Sequence, residues 1–196
     1  MPSANPQRRS HDTKSRILAA ARRLFAEEGY EPTTIRAVAA AAKADPALVI
    51  RYFGSKEGLF AEAATFDLRI PDLSAIPREA LGGAMVRHFL TRWEGDPADN
   101  ALRILLRAAA TNATAAARSR EIFSQQVLPA VSRVAPAGEA ERRAGLIASQ
   151  LLGFALCRYI LALPAVMEME PETAVVVLGP TVQRYLTEPL APGATG

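Results

Sequence analysis

Between Asp45-Pro46 and Gly54 there is room for barely two turns of helix, and that brevity constrains the fold more than any other feature of the chain. Asp45 carries a carboxylate suited to capping exposed helical amides, and Pro46 suits the first helical position, where its missing N–H costs nothing. A helix this short does not hold itself together in water, so neighbouring helices must pack behind it. Those neighbours are visible in the sequence. Ile17, Ala20, Ala21, Leu24 and Phe25 recur at helical spacing and make one apolar stripe that stops at Gly29, which predicts a first helix over about 12–28. In "GYEPTTIRAVAAAAK" a turn with Pro32 and a Thr33 N-cap precede a second stripe of Ile35, Val38, Ala39 and Ala42. Ser55 caps a fourth helix carrying Leu59, Phe60, Ala63 and Phe66, which ends before Pro71.

The rest of the chain follows the same period. Alanine is abundant and alternating apolar patterns are scarce, so the expected class is all-α. Prolines 77, 97, 129, 136, 164, 171 and 180 punctuate apolar-striped segments at about 78–94, 97–110, 113–134, 138–163 and 171–187. Residues 1–11 hold two prolines and no apolar periodicity and read as a disordered basic arm; 189–196, "PLAPGATG" from Pro189, read as a disordered tail. The opening MPSANPQRRSHD has no apolar core segment, so no secretory signal is expected, and the lone Cys157 leaves no internal disulfide. The cytoplasm is the expected compartment.

Charge is unevenly spread. Residues 1–60 hold 10 Lys/Arg against 6 Asp/Glu, whereas the remainder holds 13 against 14, and all three lysines, Lys14, Lys43 and Lys56, lie in that basic first third. This distribution suits a surface facing a polyanion. Two short helices joined by a tight turn behind a longer one are the plan of a helix-turn-helix, expected here over 12–54, with the helix after Pro46 pressed into the DNA major groove. Tyr52 and Lys56 then lie where phosphates pass, and the Ser55 turn offers exposed N-terminal amides. Phe53 reads as core.

The stretch "RILAAARRLFAEEGYEPTTIRAVAAAAKADPALVIRYFGSKEGLF", Arg16 to Phe60, resembles the DNA-binding domain of TetR-family transcriptional repressors. Ile17, Ala20, Phe25, Gly29-Tyr30, Thr33-Thr34, Val38-Ala39, Phe53 and Ser55-Lys56-Glu57 with Leu59 carry the likeness. The resemblance implies a homodimer that binds double-stranded operator DNA, with a helical effector-binding and dimerisation domain over 55–188. It further implies that the helices at about 138–163 and 171–187 form a four-helix interface, and that a small-molecule effector moves the two heads apart. The implied DNA-binding set is Thr33, Thr34, Arg36, Lys43, Asp45, Pro46, Ala47, Leu48, Arg51, Tyr52 and Lys56. Three departures stand out. Lys43 occupies the family's turn glycine, so a non-glycine residue must hold a left-handed conformation. Ile50 replaces a common phosphate-contacting tyrosine, leaving Arg51 or Tyr52 to take that contact. Pro46, Ala47 and Leu48 offer little hydrogen bonding, so base reading leans on thymine methyls and on Arg36, whose alternative role is a phosphate clamp.

The effector pocket that the resemblance implies would draw on Phe66, Met85, Phe89, Trp93, Leu106, Phe123 and Arg158, although the 85, 89, 93 spacing is equally that of a core stripe. "AGLIASQLLGFALCRYILAL", 144–163, is apolar nearly all round. Its length would suit a membrane span, but Gln150 and Arg158 inside it favour a helix buried between its own domain and a partner subunit. Arg158 then needs a carboxylate, a carbonyl or an anionic effector. Neither catalytic residues nor a metal site nor a cofactor is expected: His11 and His88 are the only histidines, and no phosphate-cradling loop or nucleophile elbow occurs. The expected function is a ligand-responsive repressor. The alternative is a DNA-binding architectural or adaptor protein of the same fold without an effector.

Overall fold

The protein is described by a computed structural model over residues 6–95 and 101–190, and every regular element among these residues is helical. The chain divides into two compact units. The first comprises the described residues of Met1–Phe66 and Asp96–Arg120, the second those of Asp67–Gly95 and Glu121–Gly196. In this division α4, which packs on α1, belongs to the first unit, as do the later helices α6 and α7 through Arg120.

In the first unit α1 (Pro6–Glu27) lies behind α2 (Ile35–Ala41), α3 (Pro46–Phe53) and α4 (Lys56–Ala63). Ile17, Ala21, Leu24 and Phe25 of α1 are buried, as are Val38, Val49, Leu59 and Phe60 of the helices in front of it, and each large aliphatic side chain so enclosed contributes about 1.5–3 kcal/mol. Phe60 sets its edge against both Phe25 and Tyr30, at centroid distances of 5.2 and 4.9 Å. α6 (Ala101–Ala108) closes the end of α1: Arg107 donates to the carbonyls of Ala26 and Glu27 at 2.9 and 3.1 Å, groups that the helix itself leaves without amides. α7 spans Ala113–Ile122.

Two expectations about this unit need correction. Helix α1 starts at Pro6, so residues 6–11 are helical rather than a disordered arm; Pro6 marks a first helical turn, where proline is favoured. Residues 1–5 lie outside the described residues. Thr34, not Thr33, caps α2, its hydroxyl accepting from Ala37 at 3.1 Å. Asp45 and Ser55 cap α3 and α4 as expected, and Lys43 holds a positive φ of 50°.

The second unit is built on α5 (Leu81–Glu94), α8 (Leu128–Ser132), α9 (Ala140–Ala155), α10 (Pro164–Met167) and α11 (Pro171–Thr187). α5 and α11 run antiparallel, since Arg78 before α5 reaches Thr187 while Arg87 pairs with Glu172. They approach closely at Gly82 and Gly179, where a Cβ on Gly82 would lie 2.3 Å from the Gly179 carbonyl oxygen. Gln183 fastens the crossing by accepting from the Gly82 amide and donating to the Arg78 carbonyl, both at 2.7 Å. Arg143, 1% exposed, joins the start of α9 to the end of α11: it donates to Glu139 at 2.7 Å and to the carbonyls of Tyr185 and Glu188 at 2.6 and 2.8 Å.

The long helix expected at 113–134 is interrupted, and the one expected at 138–163 is ended, by a wider, π-type turn, at Phe123–Val127 and Leu156–Ile160. In both, an amide reaches back five residues, Leu128 to Phe123 and Leu161 to Leu156, and a proline follows, Pro129 or Pro164, that has no amide to continue the ladder. Among the described residues no helix is long and apolar enough to cross a membrane. The expected tail at 189–196 lies almost wholly outside the described residues.

Candidate nucleic-acid interface

α3 has two faces with opposite fates. Val49 and Phe53, four residues apart, are buried against the other helices of the first unit, which leaves Pro46, Ala47, Ile50 and Arg51 exposed on the far side and Leu48 and Tyr52 half-buried between. The Asp45 carboxylate accepts from the Ala47 amide at 2.7 Å, satisfying one of the donors that begin the helix. Gly54 ends it at φ 77°, a conformation that glycine adopts at no steric cost. The sequence from 45 to 54 therefore specifies a capped two-turn rod, held from behind through Val49 and Phe53, whose outer face is left for something else.

Around this rod stand four basic side chains of different freedom. Arg36 is exposed on α2 and Arg51 on α3. Lys43 is exposed on the turn between them. Lys56 is half-buried: its ammonium donates to the Glu31 carbonyl at 3.1 Å and sits 4.3 Å from the centre of the Tyr30 ring. Tyr30 in turn donates to Glu57 at 3.1 Å. Burial first, then the bond to Glu57 and the charge of Glu31 push the Tyr30 phenol up to about 12. Glu57 is held below the usual carboxylate range by its backbone amide, by the Ser55 hydroxyl and by Tyr30. Together these contacts fix the direction of the Lys56 stem. The Tyr52 hydroxyl lies 3.0 Å from that of Ser10.

Of the expected DNA-contacting residues, Thr34, Arg36, Lys43, Asp45, Pro46, Ala47, Leu48, Arg51, Tyr52 and Lys56 gather around α2, α3 and the start of α4. Thr33 is a correction: it is 1% exposed and its hydroxyl is spent on the Gly29 carbonyl at 2.8 Å. Ser10 and Tyr30 join this cluster as supports, Ser10 beside Tyr52 and Tyr30 beneath Lys56; the start signal at Pro6 is the sequence pointer to the first.

The effector candidates divide between the two units. Phe66 and Leu106 belong to the first; Met85, Phe89, Trp93, Phe123 and Arg158 belong to the second. Phe89 meets Trp93 at 5.7 Å and Phe154 at 6.5 Å, and Trp93 stacks on Tyr159 at 5.0 Å. Met85 and Trp93 are buried, Phe89 and Phe123 half-buried. Arg158 has internal partners. Its guanidinium donates to Glu94 at 2.9 Å and to the carbonyls of Val166 and Met169 at 2.7 and 2.6 Å, so the protein itself supplies the carboxylate and carbonyls that a cation in this apolar segment requires. Tyr159 also donates to Glu94, at 2.8 Å, and burial raises its phenol well above its ordinary value.

A capped two-turn helix, supported from behind and exposed in front amid basic side chains, on an otherwise all-helical chain, defines a helix-turn-helix DNA-binding regulator. Residues 17–63 match the family described as bacterial regulatory proteins, tetR family, and residues 79–186, more than half of the chain, match the tetracyclin repressor-like C-terminal domain. The chain belongs to the TetR family of transcriptional regulators. A TetR-family regulator from Streptomyces coelicolor A3 is similar over 94% of this chain and 99% of its own, at 26% identity and a TM-score of 0.62. A transcriptional regulator from Saccharomonospora viridis, solved in complex with choline, shares the fold at 17% identity and a TM-score of 0.63, covering 88% of this chain and 96% of its own. NalD of Pseudomonas aeruginosa, the secondary repressor of the MexAB-OprM multidrug efflux pump, shares it at 19% identity and a TM-score of 0.64, over 91% and 97%. Comparison with curated proteins gave no match.

Proposed function

We propose that this chain is a ligand-responsive transcriptional repressor that binds operator DNA as a homodimer and is released by a small-molecule effector. The observation that carries the reading is the apolar surface of the second unit. Leu152, Leu156, Leu161, Leu163, Met167, Val176 and Val177 are all exposed, with Val176 at 70%, on α9, its π-type turn, α10 and α11. A patch of this kind marks an association surface, and a two-fold copy of the same chain covers it while giving the assembly two DNA-binding heads. The aromatic cluster of Phe89, Trp93, Phe154 and Tyr159, with Met85 and Phe123, supports an apolar or amphipathic effector site in the same unit. Relatives of this fold that hold choline or repress an efflux pump agree with that reading. Arg36 reads guanine in the major groove, while Lys43, Arg51, Tyr52 and Lys56 meet phosphates. Light scattering tests the assembly: the wild-type mass is twice the chain's 21.0 kDa, and Val176→Glu with Val177→Glu shifts it toward one chain and weakens operator binding. A wild-type monomer at micromolar concentration contradicts the proposal.

A further inference from the structure

Ile50 is the one large apolar side chain exposed among the described side chains of the first unit, at 46%, and it lies in the middle of the outer face of α3. Pro46 is four residues before it and Ala47 three, so all three share that face. The polar groups nearby are already committed or displaced. The Asp45 carboxylate caps Ala47, while Arg51, its guanidinium 5.8 Å from the Tyr52 ring centre, and Tyr52 follow Ile50 toward the end of the helix. The first turns of the helix thus present carbon and no hydrogen-bonding head group.

The one methyl group that the four standard bases display in the major groove is the C5-methyl of thymine. We infer that Ile50 is a specificity-determining residue that reads thymine methyl groups in the operator half-site, in place of a phosphate contact. The inference deepens the operator-binding reading above and rests on it. Its energetic basis is hydrophobic burial: a methyl packed against the Ile50 side chain leaves water together with part of that side chain, and this surface is gained with no other base pair. The contact carries no charge, so it contributes to specificity without adding to the salt dependence that the basic residues set.

The test begins with a duplex selected from a random pool by the purified wild-type protein. Thymines of one half-site are then replaced singly by deoxyuridine, which removes only the methyl. At one position wild-type affinity should fall by about fourfold, the equivalent of one buried methylene. Ile50→Ala should bind the thymine operator more weakly but bind the thymine and uracil versions equally, with an unchanged slope against salt. Ile50→Val should keep the wild-type discrimination in large part. Because Ile50 is exposed, both variants should melt with wild type. The inference is overturned if uracil substitution leaves wild-type affinity unchanged at every position, or if Ile50→Ala remains as sensitive to uracil as wild type. A selection that enriches no sequence overturns it together with operator reading itself, whereas an enriched but methyl-insensitive operator overturns this inference alone.

Discussion

Lys43 holds a left-handed backbone at φ 50° in the turn before the recognition helix, where a side chain with a Cβ is disfavoured. Lys43→Gly should therefore raise stability by up to about 1 kcal/mol, the relieved strain being partly offset by the greater freedom of glycine in the unfolded chain. Urea denaturation measures this. Binding isotherms across salt on the same variant should show a shallower slope, since an exposed cation beside the interface is lost. Arg143 illustrates the opposite case, a charge fully enclosed and fully used. Arg143→Ala leaves the carbonyls of Tyr185 and Glu188 without their donor and Glu139, itself part exposed, without its cation, and should cost about 2–4 kcal/mol in urea unfolding. A cost below about 1 kcal/mol would show that α9 and α11 hold their junction without it. Neither the enclosure of Arg143 nor the internal partners of Arg158 could be read from sequence, because both depend on carbonyls more than 40 residues away or beyond a helix break.

At the scale of elements, α5 and α11 are set by two glycines rather than by large side chains. Gly82→Ala should push the helices apart, since its Cβ would lie 2.3 Å from the Gly179 oxygen and 2.5 Å from the Gln183 amide nitrogen, at a cost of about 1–3 kcal/mol. Gly145 in α9 has nothing within 4 Å of its Cβ position, so Gly145→Ala should instead stabilise by about 0.5–1 kcal/mol. Thermal melts of the two variants beside wild type check the contrast in sign. Caps made the short head helices legible in the sequence: Asp45-Pro46, Gly54 and Ser55 are local signals, and they placed α3 and the start of α4 closely. The start of α1 is not legible because Pro6 suits a disordered arm and a first helical turn alike. The π-type turns were missed because their apolar stripes continue smoothly through 123–127 and 156–160, and a one-residue change of hydrogen-bond register leaves no mark in composition. The effector candidates were weakest, since a 3.6-residue stripe looks the same whether it lines a pocket or fills a core.

For the whole molecule, the proposed function depends on two heads presented together. One exposed face of α3 would offer few base contacts, and a two-fold copy would raise affinity for a specific site by doubling them. The apolar surface of α9, α10 and α11 is what would bring the copies together, and the aromatic cluster of the second unit is where an effector would bias the result. Hydroxyl-radical footprinting of the purified protein on its selected operator is the most direct measurement of this account. The account predicts two protected tracts in symmetry-related sequence, their centres about 34–36 Å or a multiple of that apart, one for each head of a dimer. A single unpaired tract, or uniform protection no different from that on random DNA, would contradict it.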